Sequence, residues 1–359
     1  MIDDPPPALP LLTERAKSLQ RQFVSYDEIE PRLDNNYLVQ GWLGTGGLSI
    51  LYGPSNSGKT FVAIDLAVHV ASGYQWHGNT VRPGPVIYIA GEGGPGILNR
   101  FAATRKKYPM LRANSGLHLL PTNLDLFAPN DASELCYTMP VDGAALIIVD
   151  TMARSMGAGD ENSARDVAQF VSSCDFIRER TGAHVLIVHH TGKNVQAGAR
   201  GSSALRAAVD TEISIFDHKI FSTKQRDMEI SKHLFFDLQS VALGVDQDGV
   251  SVTSAVVVPA DPPTGKAKEL SHREMVAFQA LEEILELHGT TQSGETMPNN
   301  RNVVEVFRWQ IQCKENGLAG PGASKDANRK AFGRAKKSLL ERNFIEASGE
   351  YVWKVPHDD

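Results

Sequence analysis

The run Gly53-Pro54-Ser55-Asn56-Ser57-Gly58-Lys59-Thr60 sets two glycines five positions apart, with a lysine and a hydroxyl directly after the second. This is the spacing G-x-x-x-x-G-K-[ST] of loops that cradle phosphate groups. Glycines let successive backbone N–H groups close round a phosphate chain, and the positive end of a following helix adds to them. Lys59 supplies a mobile positive charge, and the Thr60 hydroxyl is placed to ligate Mg²⁺. Phe61 completes the stretch expected to touch the nucleotide. The expected cofactors are therefore ATP and Mg²⁺.

Binding alone does not hydrolyse a nucleotide. Turnover needs a carboxylate on the metal side, a group that orients water, and a polar residue that reads the terminal phosphate. Asp150 closes the apolar run Ala145-Leu146-Ile147-Ile148-Val149, a Walker B pattern, and is the expected metal-side acid. Glu92 sits in Gly91-Glu92-Gly93-Gly94 at the end of Val86-Ile87-Tyr88-Ile89-Ala90, placed to act as general base. His189 and His190 end Val185-Leu186-Ile187-Val188, and His190 is the expected sensor.

These residues need rigid elements behind them. Apolar stretches recur at 48–52, 86–90, 117–120, 145–149, 185–188 and 212–216, with helical patterns at 95–108 and 162–180. Gly182 is placed to end the second of these helices. Apolar strands alternating with helices predict an α/β fold, a mainly parallel sheet covered on both faces. Open sheets of this kind gather ligands at the carboxyl ends of their strands, where all the candidates fall. Two further β-like stretches, 228–242 and 250–259, extend the sheet or form a hairpin after it.

The order of these parts resembles RecA-like P-loop ATPases, and among them the RepA-type hexameric replicative helicases and their phage-borne relatives in the DnaB-like superfamily. The resemblance rests on residues 51–60, the Ile87-to-Gly93 run, Val149-Asp150-Thr151, Val188-His189-His190-Thr191-Gly192-Lys193, and Arg200-Gly201-Ser202-Ser203-Ala204-Leu205, and it covers about residues 35–257. It implies that the loops at 156–165 and 191–200 face a ring channel, with Lys193 and Arg200 on single-stranded DNA. It further implies that Lys224 and Arg226, at the tip of a late hairpin, enter the ATP site of a neighbouring subunit. The function it implies is an ATP-dependent, ring-forming DNA helicase or translocase of plasmid or phage replication, a homo-oligomer and by family a hexamer. A DNA-binding ATPase serving as helicase loader or replication regulator is the alternative. The chain departs from DnaB-type helicases in showing no recognisable N-terminal primase-binding domain.

The expected division is a tail at 1–34, an ATPase domain at 35–258, a Pro/Gly-rich linker at 259–270 and a second domain at 271–359. That last region reads as helices at 271–288, 301–316 and 324–342 followed by a hairpin, a winged-helix-like α+β layout. In its third helix Ala327, Ala331, Ala335 and Leu339 form the inner face, leaving Arg329, Lys330, Arg334 and Lys337 outside. Duplex DNA, a replication protein and plain solvent are all compatible with that face.

Bulk properties narrow the field. Of 359 residues, 42% are hydrophobic and 22% charged, an ordinary balance for a globular protein. Apolar runs all stay below the ~18 residues of a membrane span, so no membrane partner is expected. The acidic, proline-rich start suits neither a signal nor a transit peptide. Cys136, Cys174 and Cys313 lack metal-ligand spacing and read as thiols of a reducing cytoplasm, bacterial or plasmid- or phage-encoded. A formal net charge of −6 excludes a protein that coats nucleic acid over its whole surface and allows a local basic channel.

Overall fold

Every second residue of a strand faces the same way, so a strand that is apolar throughout must be covered on both sides. The chain meets that demand with helices on each face of one large sheet. The computed structural model describes residues 13–30, 36–92, 94–112, 116–139, 143–190, 203–226, 228–229, 233–262, 270–291, 301–320 and 322–355. It divides into two units, one ending at Asn36 and the other starting at Tyr37. The first holds α1 (Glu14–Gln20), whose Ala16 N–H donates to the Thr13 hydroxyl at the N-cap.

The second unit opens with a short antiparallel pair, β1 (Tyr37–Val39) and β2 (Leu43–Gly44). It continues through β3 (Leu48–Gly53), α2 (Lys59–Ser72), β4 (Val86–Ala90), α3 (Gly94–Lys107), β5 (Leu117–Leu120) and α4 (Pro129–Thr138). Then come β6 (Leu146–Asp150), the single turn α5 (Met152–Ser155), α6 (Ala164–Thr181), β7 (His184–His190) and α7 (Ser203–Ala208). Four strands follow: β8 (Thr211–Phe216), β9 (Lys219–Gln225), β10 (Leu234–Val245) and β11 (Ser251–Ala260). All nine strands from β3 on form one sheet, ordered β11-β10-β9-β8-β3-β7-β6-β4-β5.

Strands β5, β4, β6, β7, β3 and β8 run parallel, while β9, β10 and β11 extend the sheet antiparallel beyond β8. One strand, β7, lies between the phosphate-loop strand β3 and the acid-bearing strand β6. This is the RecA-like core. Leu51, Tyr88 and Ile148 pack under α2 on one face; Ile50, Ile89 and Val149 pack under α6 on the other. Gly182 ends α6 at φ 72°, the left-handed conformation expected of it.

Beyond the core lie α8 (His272–His288), β12 (Thr290–Thr291), β13 (Asn302–Glu305), α9 (Val306–Glu315), α10 (Lys325–Glu341), β14 (Ile345–Ser348) and β15 (Tyr351–Lys354). The four strands form a small antiparallel sheet, β12-β13-β15-β14. The helix expected at 301–316 therefore begins later than its apolar pattern suggested. Val303 and Val304 are both buried as strand residues, and Val304 pairs with Val352. In α10 the inner face is Ala331, Phe332, Ala335 and Leu339, whereas Ala327 in the first turn is exposed. This region shares its hydrophobic cluster with Phe216, so it is packed directly onto the β8–β9 hairpin. Among the described residues no helix is long and apolar enough to cross a membrane.

A candidate nucleotide site at one edge of the sheet

Register brings the chemistry together. Gly53 pairs with His190, Val188 with Asp150, and Asp150 with Ala90, two residues before Glu92. Four consecutive strands thus deliver the phosphate loop, His190, Asp150 and Glu92 to a single edge. Gly53 cannot carry a side chain there, because a Cβ would lie 2.3 Å from the Ile215 carbonyl oxygen. Gly58 turns the chain into α2 at φ 88°, a conformation open to glycine at no steric cost.

Lys59, 5% exposed, lies within the loop and donates to the carbonyl oxygens of Gly53 (2.9 Å) and Pro54 (2.5 Å). Burial lowers its ammonium pKa to about 8 against the pull of Asp150 and Glu92, so at neutral pH it remains mostly charged. Phe61 follows in the first turn of α2 and carries the Arg100 guanidinium 4.7 Å above its ring.

Asp150 is 4% exposed. Its Oδ2 accepts from the Tyr88 hydroxyl at 2.6 Å, while its Oδ1 is buried with no hydrogen-bond partner. Burial raises the carboxyl's pKa, and the Tyr88 and Thr60 hydroxyls oppose that rise. An orphaned carboxylate oxygen beside a threonine hydroxyl fits Mg²⁺, which takes one or two protein oxygens and completes its shell with water and phosphates. Thr60 and Asp150 would hold the ion, and it would neutralise charge on the phosphate chain. Among the described residues no cluster of three or more His, Cys, Asp or Glu side chains could hold a metal alone.

Glu92 is oriented rather than loose. Its Oε1 accepts from the Thr151 hydroxyl at 2.8 Å and lies 3.6 Å from the Arg154 guanidinium. The carboxylate keeps 37% side-chain exposure, so water can reach it. His190 has a buried Nδ1 without a partner. Burial, then the positive charge of Lys59, holds its imidazole below the usual histidine range, so it is neutral at pH 7.

Residues 14–196 match the family model described as AAA domain. The chain belongs to the AAA domain family. A P-loop ATPase role follows from that membership, and the sheet edge supplies the groups it requires. Among solved structures, this AAA domain chain is similar to the ATPase domain of a helicase, at 12% identity and TM-score 0.42, over 54% of this chain and 82% of that one. It is also similar to the RadB recombinase, at 14% identity and TM-score 0.40, over 54% and 88%. A KaiC-like protein, PH0186 from the hyperthermophilic archaeon Pyrococcus horikoshii OT3, matches at 14% identity and TM-score 0.41, over 64% and 99%.

Lys224 and Arg226 do not sit at a hairpin tip. The tight turn between β8 and β9 is Asp217-His218, both residues at positive φ, and the cationic pair lies at the opposite end of β9. A turn with two left-handed residues suits Asp and His better than Lys and Arg. Lys224 Nζ donates to the Arg206 and Val209 carbonyl oxygens at 2.6 and 2.7 Å, capping α7. Arg226 Nη1 pairs with Asp210 Oδ1 at 2.7 Å, and the other oxygen of Asp210 accepts from the Leu48 N–H. That contact fixes the pair beside the start of β3, whereas the phosphate loop leaves its end. At about 3.3 Å per residue the two are roughly 16 Å apart, beyond the reach of either side chain.

Lys193 and Arg200 lie outside the described residues. The 156–163 connection leaves α5 just after Asp150 and ends at Ser163, which N-caps α6 by accepting from the Asp166 N–H. Arg329, Lys330, Arg334 and Lys337 all project outward from α10. Asp326 pairs with both Arg329 and Lys330 at 2.8 Å, which reduces the net charge of that face. Sequence reasoning missed Tyr88, Thr151 and Arg154, the groups that hold Asp150 and Glu92. Thr151 directly follows the Walker B acid, and that adjacency was the available signal.

Proposed function

We propose that this AAA domain protein is an ATP-driven, ring-forming DNA helicase or translocase acting in plasmid or phage replication. The observation that carries this reading is the separation of Lys224 and Arg226 from their own phosphate loop. A cationic pair on the far side of the sheet can stabilise a γ-phosphate only in another copy, so each site is completed between subunits of a closed ring, a hexamer by family. Lys59 and Thr60 hold the phosphate chain, Asp150 stands on the metal side, Glu92 orients water and His190 reads the γ-phosphate. Lys224 and Arg226 of the next copy meet the negative charge that spreads over the γ-phosphoryl oxygens.

Coupling to DNA follows from connectivity. The 156–163 connection starts within a few residues of Asp150, and the segment bearing Lys193 and Arg200 starts directly after His190. A change at the γ-phosphate therefore has a short covalent path to both. Those segments line the channel and hold the backbone of single-stranded DNA, a contact that needs local positive charge only. The exposed basic face of α10 gives a second reading, a loader or regulator that docks on duplex DNA or on a replication protein and uses ATP to switch assembly.

The test is steady-state ATP hydrolysis with and without single-stranded DNA. The expected result is stimulation of at least tenfold by single strands, weak stimulation by blunt duplex, and ring-sized particles with nucleotide present. Stimulation by duplex in preference to single strands would favour the loader reading.

A further inference from the structure

On the β8 side of the phosphate loop, opposite β7 and His190, lies a cavity of about 360 Å³ that the hydrolytic residues do not use. Its size falls within the roughly 300–1,000 Å³ of small-molecule sites. One wall is the loop itself, Pro54 to Ser57. The inner wall is the aromatic face of Phe236, on which His218 stacks at 5.4 Å with an interplanar angle of 13°. Gly58 makes room for that face, since a Cβ there would lie 3.2 Å from the Phe236 ring.

The outer wall comes from the other end of the chain. Helix α8 contributes Phe278, Leu285, Glu282 and Glu286, and Lys354 reaches in from β15. Asn56, at φ 60°, points its amide at this helix and donates to Glu286 Oε1 at 2.7 Å. Lys354 pairs with Glu282 at 2.5 Å and lies 5.2 Å over the Phe278 ring. The C-terminal region is thus tied to the phosphate loop by a direct hydrogen bond across 230 positions of sequence.

A nucleotide anchored by its phosphates must place its ribose and base outside the loop. The cavity offers flat aromatic and aliphatic surface for a planar ring. Its carboxylates accept hydrogen bonds and donate none, which matches ribose hydroxyls and the exocyclic amine of adenine. The same carboxylates repel a phosphate chain, so the triphosphate belongs in the loop and the nucleoside beside it. We propose that the C-terminal region supplies the base-and-ribose subsite, holding the adenosine half of ATP between the phosphate loop and α8. This rests on the reading of the loop as an ATP site.

The experiment is calorimetric titration of the full-length protein with Mg-ATP and, separately, with Mg-tripolyphosphate, which has no nucleoside. It uses wild type, Leu285→Trp, which fills the cavity, and Glu286→Ala, which removes an acceptor. The expected result is a tenfold or greater loss of ATP affinity in both variants, the worth of at least one charge-assisted hydrogen bond. Tripolyphosphate affinity should stay within about twofold of wild type. Unchanged ATP affinity in both variants would overturn the proposal and leave the phosphate loop intact as a site. Equal loss of ATP and tripolyphosphate, the signature of a distorted loop, would overturn it too. If wild type bound neither ligand, the ATP-site reading itself would fall. Should Leu285→Trp prove unfolded by circular dichroism, Glu286→Ala alone decides.

Discussion

Replacing Glu92 by glutamine should lower the turnover number for ATP by about 10²- to 10⁴-fold, the usual worth of a positioned general base. Nucleotide affinity should stay within a few-fold of wild type. Glutamine keeps the volume, and its side-chain oxygen can still accept from the Thr151 hydroxyl that holds Glu92 at 2.8 Å. What it loses is the ability to take a proton from water. Lys59, Thr60 and Asp150 are unaltered, so the phosphate chain remains held. Phosphate release and titration with a fluorescent ATP analogue measure the two quantities on the same sample. Wild-type turnover in this variant would remove Glu92 from the chemistry.

Arg226→Ala should be nearly as severe, with turnover down about 10³-fold and affinity retained, as for a charge supplied by a neighbouring subunit. The competing role is structural. Arg226 pairs with Asp210, which in turn caps the start of β3 through the Leu48 N–H, so its loss could simply loosen the fold. Mixing separates the two. In rings assembled from Arg226→Ala and Glu92→Gln subunits, some interfaces combine an intact Glu92 with an intact Arg226 from the next copy. About a quarter of interfaces in a random mixture meet that condition, and activity should return in proportion. Arg226 acting only within its own chain would give a lowered melting temperature and no recovery on mixing.

The core was legible because its strands are short, apolar and spaced by helices, a pattern that burial on both faces enforces. The phosphate loop was legible because few other sequences satisfy its backbone. Asp150 and Glu92 were found by position, as acids at the ends of apolar strands. Strand β9 escaped notice because it lies among the outer, antiparallel strands of the sheet, and Lys-Ile-Phe-Ser-Thr-Lys-Gln buries only Ile220 and Ser222. That omission put Lys224 and Arg226 at a turn rather than at the far end of a strand. The role of Tyr88 was hidden because an aromatic residue within a buried strand looks like core, and only tertiary structure sets its hydroxyl against Asp150. Contacts between the C-terminal helix and the phosphate loop had no local signal at all. Asn56 and Glu286 each look like ordinary polar surface until the fold places them together.

The central claim is that hydrolysis at this site drives movement along DNA. Displacement of a labelled strand from a forked duplex, in Mg-ATP with a trap for the released strand, tests it most directly. The expected result is ATP-dependent displacement by wild type and none by Glu92→Gln. Brisk ATP hydrolysis in the presence of the fork with no strand released would contradict a motor and leave an assembly switch in its place.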